Sequence, residues 1–242
     1  MDASLVEKVA IVTGAGRGIG RAIAIALAGQ GVRVSLAART EEELEDTASS
    51  IIADGGQANI EPTDVTVESS VCRLVEHTLE RWGRLDIVVN NAGTGVFGSL
   101  EKTTTDDWNR ILEVNSRGAF WLCREAIPYL RKQQISYVVN IASVVAVKGY
   151  QSQAAYAASK HALLGMSKSL AKEVQQEGIR VHVINPGGVD TDMARQARPD
   201  IDPSNLILPQ EIADIVVFLV TRTGNSVIDE VNVHRANATP WA

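Results

Sequence analysis

Tyr156 and Lys160 stand four residues apart in Ala154-Ala155-Tyr156-Ala157-Ala158-Ser159-Lys160, and Ser143 lies thirteen residues before Tyr156. On a helix, residues spaced by four share one face, one turn apart. An ammonium beside a phenol draws its pKa down from the usual value of about 10, and reaching about 7 takes roughly 4 kcal/mol of differential stabilisation. Tyr156 is therefore a candidate general acid/base, with Lys160 as its electrostatic partner and Ser143 as a hydroxyl to hold a group against the phenol. Such a phenol gives or takes a proton at a group held within hydrogen-bond reach. Singly, the three would read as an exposed hydroxyl, a solvated charge and a turn serine; their joint spacing carries the argument. His161 points about 100° away from Lys160 and reads as structural or surface. His77, His182 and His234 have no partners at ligand spacing, so no metal is expected.

Such side chains need a scaffold. Val9-Ala10-Ile11-Val12 is a continuous apolar, largely β-branched run, the pattern of a strand buried on both faces. It runs into Thr13-Gly14-Ala15-Gly16-Arg17-Gly18-Ile19-Gly20, after which Arg21–Gln30 reads as a helix and Arg33–Ala38 as a second strand. The alternation predicts helices over Glu41–Ala53, Glu68–Trp82, Thr105–Lys132 (with Pro128 as a kink or terminator), Ala155–Gln176 and Gln210–Leu219. It predicts further strands over Gln57–Pro62, Asp86–Asn90, Tyr137–Ile141, Ile179–Ile184 and Val227–Val233. Seven strands interleaved with helices, with no linker, repeat or low-complexity tract, predict an α/β fold: one doubly wound, mostly parallel sheet in a single domain over residues 1–242. Such sheets bind ligands at the carboxyl ends of their strands. Gly14–Gly20, Asn90–Gly93, Ser143 and Pro186–Thr191 all follow apolar strands.

Composition narrows the classes. The chain has 242 residues, is 45% hydrophobic and carries a formal charge of −6, which suits a sizeable core and argues against a nucleic-acid partner. Cys72 and Cys123 are the only cysteines, far apart and without metal-ligand spacing, so a disulfide framework is excluded and a reducing, cytoplasmic setting is expected. Asp2 and Glu7 precede the first strand with no secretory pattern, and no apolar run is long enough to span a bilayer, so no membrane partner is expected.

Glycines at a first strand-to-helix turn let the backbone and the helix N-terminus approach a pyrophosphate. The spacing here is Thr13-Gly14-x-x-x-Gly18-x-Gly20 rather than G-x-G-x-x-G. With Asn90-Asn91-Ala92-Gly93, Asn115, Ser143, Tyr156-x-x-x-Lys160 and Pro186-Gly187 in order, the chain resembles the short-chain dehydrogenase/reductase family from about Lys8 to Asp192. The resemblance implies a Rossmann-type domain with a nicotinamide cofactor and a catalytic set of Asn115, Ser143, Tyr156 and Lys160. It implies cofactor contacts from Gly14, Arg17, Gly18, Ile19, Gly20, Arg39, Asp64, Val65, Asn90, Ala92, Gly93, Tyr156, Lys160, Pro186, Gly187, Val189 and Thr191. Among these, Asp64 would meet the adenine, Asn90 would lie near its ribose, Thr191 would hold the carboxamide and Lys160 the nicotinamide ribose. Asn115 would anchor a proton-relay water through a distortion in its helix. Sites selective for NAD(H) carry a carboxylate at the end of the second strand. Ala38 stands there, Arg39 follows, and Arg17 sits in the glycine loop, so the expected cofactor is NADP(H), with two guanidinium groups for a 2′-phosphate.

The expected activity is reversible reduction of a ketone or aldehyde, with a 3-oxoacyl-[acyl-carrier-protein] reductase as a narrower alternative implied by the resemblance. A non-enzymatic NADP(H)-binding regulator is the alternative from another class, disfavoured by the intact catalytic set. A sugar-nucleotide epimerase of the extended family would need a larger C-terminal region. The resemblance also implies a homo-oligomer, dimer or tetramer, paired through Thr105–Lys132 and Ala155–Gln176. Two stretches depart from the family. The end of the chain lacks its usual Val-Asp-Gly-Gly-type segment, and residues 236–242 carry no motif. The substrate flap, about residues 193–209, is short, polar through Arg195, Arg198, Asp200 and Asp202, and irregular through Pro199 and Pro203, which predicts an open site.

Overall fold

In the computed structural model, which describes residues 5–197 and 200–239, every residue of β1 (Val9–Thr13) is buried. The expectations placed on Asp2, Arg198, Pro199 and the last three residues of the tail lie outside the described residues. After β1 come α1 (Gly18–Gly29), β2 (Arg33–Ala38), α2 (Glu41–Ala53), β3 (Gln57–Pro62), α3 (Glu68–Trp82) and β4 (Ile87–Asn90). Then follow α4 (Thr105–Leu112), a π turn (Glu113–Arg117), α5 (Gly118–Leu130), β5 (Ser136–Ile141), α6 (Ala154–Val174), β6 (Ile179–Pro186), α7 (Asp192–Ala197), α8 (Pro209–Val220) and β7 (Glu230–Val233).

The strands form one sheet in the order β3-β2-β1-β4-β5-β6-β7, and every neighbouring pair is parallel. Alternate residues of β1 feed two cores. Ala10 and Val12 pack with Ile23 and Leu27 of α1, Leu44 of α2 and Val216 of α8. Val9 and Ile11 pack with Leu74 of α3, Leu122 of α5 and Leu170 of α6. Helices cover both faces, which is why these strands carry apolar residues without alternation. From β1 the chain winds outward through β2 and then β3, and β4 pairs on the other side of β1, so the strand order reverses between β1 and β4. A crevice opens over the carboxyl ends of the strands at such a point.

Several boundaries differ from the sequence pattern, each for a local reason. Helix α1 begins at Gly18, inside the glycine loop, at a left-handed φ of 55° that glycine adopts without strain. The expected single helix over Thr105–Lys132 is broken by the π turn, whereas Pro128 lies inside α5 without ending it. Strand β7 is shorter than expected. Its ladder with β6 begins at Val183↔Glu230, and Val227 and Ile228 stay exposed before it. The flap starts as a regular helix, α7, rather than as an irregular segment, with Thr191 Oγ1 accepting the Ala194 N–H at 3.3 Å. Among the described residues, no helix is long and apolar enough to cross a membrane.

Candidate active site

A cleft of about 890 Å³ lies over the carboxyl ends of the strands, near the upper end of the range for small-molecule sites. Its walls include Gly14, Arg17, Gly18, Ile19, Arg39, Asp64, Val65, Ala92, Gly93, Ser143, Tyr156, Lys160, Pro186, Gly187, Val189 and Thr191. The structure therefore brings together all but three of the residues singled out in the sequence. Gly20, Asn90 and Asn115 lie behind the wall.

Gly20 is where α1 meets the loop. A Cβ there would lie 2.1 Å from the Gly14 carbonyl oxygen and 2.4 Å from Asn91 Nδ2, so only glycine lets helix and loop close. Gly14 holds a left-handed φ of 66°, with Ala92 Cα 3.1 Å from where its Cβ would stand. The floor is thus bare backbone leading into a helix N-terminus, the construction that admits a pyrophosphate. Thr13 and Asn91 lock it. Thr13 Oγ1 accepts the N–H groups of Asn91 and Ala92 at 3.0 and 3.1 Å, and Asn91 Nδ2 donates to the Thr13 carbonyl at 2.9 Å.

The Asn90 side chain turns into the sheet, where Nδ2 donates to Asn140 Oδ1 on β5 at 2.8 Å, because the parallel register sets the two residues side by side. Asn90 is not among the residues that line the cleft, and Asp64 is. Burial pushes its carboxyl up, but two hydrogen bonds from Thr66 and the nearby Arg39 and Arg110 guanidinium groups outweigh this and hold it below the ordinary value. Arg17 is highly exposed and shared between Glu43 at 3.5 Å and Asp192 at 3.7 Å.

At the other end, Ser143 leaves β5 and Tyr156 enters on the first turn of α6. A hydrogen bond joins Ser143 to the Tyr156 phenol. Ser143 Oγ also lies 3.4 Å from the Pro186 carbonyl, and the Phe97 ring meets Tyr156 edge-on at 5.8 Å. Lys160 is 4% exposed; its Nζ donates to the Ile141 carbonyl at 2.9 Å and stands 5.8 Å from the Tyr156 ring centre. The expected drop of the phenol toward neutrality is absent in the chain by itself. Burial pushes Tyr156 up to about 12, against the pull of the Ser143 hydrogen bond, and burial also pushes Lys160 down to about 8. Desolvation, which disfavours each charged form, outweighs attraction between groups this far apart.

Asn115 sits inside the π turn, as the expected helix distortion requires, and is 1% exposed. Its Oδ1 accepts the Thr94 N–H at 2.8 Å, and its Nδ2 donates to the Thr94 carbonyl and to Ser159 Oγ, both at 2.9 Å. Ser159 Oγ in turn donates to the Tyr156 carbonyl at 2.7 Å. The side chain thus clamps the first turns of α6 and the loop after β4. A phenol, a hydroxyl and an ammonium converge in a half-buried corner, beside a backbone floor built for phosphates. That arrangement can polarise a carbonyl and give its oxygen a proton.

The family described as short chain dehydrogenase matches residues 8–202. The chain belongs to the short-chain dehydrogenase family. An uncharacterised oxidoreductase of Staphylococcus epidermidis is 34% identical over 231 residues, covering 96% of this chain and 98% of the relative. A metagenomic short-chain oxidoreductase solved in complex with NADP aligns with a TM-score of 0.85 at 34% identity, covering 98% of this chain and 100% of that one. An alcohol dehydrogenase of the archaeon Thermococcus sibiricus, solved with 5-hydroxy-NADP, aligns at 0.90 with 29% identity, covering 97% and 99% of the two chains. Like those two relatives, this short-chain dehydrogenase is an oxidoreductase by family. Sequence reasoning missed several residues of its site, Arg110 among them. Thr13, Asn91 and Ser159 lie inside motifs already singled out, as positions that could have been asked for a partner. Glu43, which faces Arg17 across the cleft, had no signal beyond its place in the first turn of α2.

Proposed function

We propose that this short-chain dehydrogenase reversibly reduces a ketone or aldehyde to an alcohol with NADP(H). The observation that carries the reading is the convergence of Ser143, Tyr156 and Lys160 at the end of β5, within the cleft whose floor is the glycine loop. The glycine-lined floor fits a dinucleotide, since a Cβ at Gly14 or Gly20 would collide with the backbone that forms it. Gly18–Gly20 would take the pyrophosphate at the start of α1, Asp64 and Val65 the adenine, and Thr191 the carboxamide. When bound, the cofactor supplies the hydride to the carbonyl carbon.

The chain's own residues do the rest. Ser143 donates a hydrogen bond to the carbonyl oxygen and fixes its place. Tyr156 gives its phenolic proton to that oxygen as the alkoxide forms, and Lys160 stabilises the phenolate left behind. Asn115 and Ser159 hold the turn that carries Tyr156, and the π turn, which disturbs the helical ladder, suits a relay that returns a proton from solvent. A phenol with a pKa near 12 is neutral at ordinary pH, the form that reduction needs; oxidation needs the phenolate.

NADP(H) over NAD(H) is supported by Ala38 at the end of β2 and by Arg39 beside it on the cleft wall. The two solved relatives holding NADP or a derivative support it too. Arg17 would exchange Glu43 and Asp192 for a 2′-phosphate. The same reading carries homo-oligomerisation through α4 to α6, supported by the exposed Trp108 and Phe120 on those helices and tested by light scattering. The activity is tested by following NADPH and NADH oxidation with a panel of ketones, aldehydes and a 3-oxoacyl thioester. Turnover with NADPH at least about tenfold more efficient than with NADH is expected. Binding of NADPH without consumption of any carbonyl would contradict the proposal.

A further inference from the structure

After Val233 the chain turns along the cleft, and His234, Arg235 and Asn237 line it. The Gly187 N–H donates to the Val233 carbonyl at 2.7 Å, which ties this segment to the loop after β6. Arg235 is half-buried, and its side chain lies over Gly188. A Cβ built on that glycine would stand 3.6 Å from Arg235 Cδ and 3.8 Å from Nε. Two residues before Gly188, the Pro186 carbonyl meets Ser143 Oγ at 3.4 Å. The guanidinium therefore borders the same loop that abuts the carbonyl-polarising hydroxyl.

The charges at this end do not cancel. Asp190 is held by Arg195 at 2.8 Å, and Asp192 faces Arg17 at 3.7 Å. Arg235 makes no ion pair with any described residue. A partly desolvated guanidinium without a counter-charge gains more from an anionic ligand than one already paired or fully solvated. Its planar fork offers a carboxylate two parallel N–H···O bonds, which would set the distance and angle of a carbonyl in the same small molecule.

We propose that Arg235 binds a carboxylate of the substrate, which makes oxo acids the preferred carbonyl substrates over neutral ketones. The proposal rests on the reductase reading above. The competing use of the guanidinium is a phosphate of the cofactor, and the test separates the two.

Wild type, Arg235→Gln and Arg235→Lys are assayed with 3-oxobutanoate and 4-oxopentanoate against their ethyl esters at saturating NADPH, and NADPH affinity is measured separately by fluorescence titration. The wild type is expected to favour the acids by about 10- to 100-fold in kcat/KM, mostly through KM. In Arg235→Gln the preference falls to near parity; in Arg235→Lys, which keeps the charge but loses the fork, it is intermediate. NADPH affinity changes less than about twofold, since the contact is to substrate. A wild type that prefers the esters, an unchanged ratio in the glutamine variant, or an effect carried wholly by NADPH affinity would overturn the proposal. If the glutamine variant does not fold, the lysine variant decides by the same ratio. If no carbonyl is consumed, the reductase reading fails on its own. Calorimetric binding of 4-oxopentanoate to the NADPH complex then still decides Arg235: weaker binding in Arg235→Lys supports it, and equal or absent binding refutes it.

Discussion

Replacing Lys160 by methionine is expected to make the folded chain more stable while ending its catalysis. Lys160 is 4% exposed and has one polar contact among the described residues, the Ile141 carbonyl at 2.9 Å, and burial pushes its ammonium down from 10.5 to about 8. At about 1.4 kcal/mol per pH unit, that gap corresponds to about 3 kcal/mol against the charged form in the folded state. The sign follows from proton counts. Below pH 8 the lysine is charged whether folded or not, and the full penalty applies. Between pH 8 and 10.5 the unfolded chain binds the extra proton, so stability rises with pH by about 3 kcal/mol. Methionine has a similar volume and does not titrate. Less about 1–2 kcal/mol for the carbonyl that loses its donor, the variant gains about 1–2 kcal/mol at neutral pH, or about 2–8 °C in Tm for a chain of this size. Urea titrations of both proteins, stepped from below pH 8 to above pH 10.5, read this as a difference from which the Tyr156 titration cancels. A difference flat in pH, or a methionine variant less stable at neutral pH, would refute the picture of a desolvated ammonium.

Other expectations are simpler to read. Gly20→Ala places a Cβ 2.1 Å from the Gly14 carbonyl oxygen; thermal unfolding is expected to show a loss of about 3 kcal/mol, with weaker cofactor binding in titration. Asn115→Ala removes three hydrogen bonds and strands the Thr94 N–H, a cost of about 2–3 kcal/mol in urea unfolding, with kcat falling more than cofactor affinity. Arg39→Gln is expected to raise the KM for NADPH about tenfold or more and leave NADH nearly unchanged, as steady-state assays with both cofactors would show.

The seven-stranded alternation was legible because each central strand is an apolar run sealed on both faces, and Arg33–Ala38, Glu41–Ala53 and Glu68–Trp82 have the bounds their patterns suggest. The break in Thr105–Lys132 left no mark in hydropathy, since a π turn costs one hydrogen-bond register; only the resemblance, through Asn115, pointed to a distortion there. Tyr156, Lys160 and Ser143 were legible through spacing. Their protonation was not, because a pKa depends on how much water the fold removes, and i, i+4 spacing is silent on that. The direction of the Asn90 side chain was not legible, because it is set by the register with Asn140, a partner fifty residues along the chain. Arg235 emerged only once the turn after β7 brought it over Gly188.

The central claim is that Tyr156 is the proton donor, and Tyr156→Phe tests it most directly by removing one oxygen from the ring that packs against Phe97. With a carbonyl that the wild type reduces, kcat is expected to fall by about 10²- to 10⁴-fold, the usual contribution of a positioned acid, while NADPH binds as before. A phenylalanine variant that binds NADPH and keeps wild-type turnover would contradict the account.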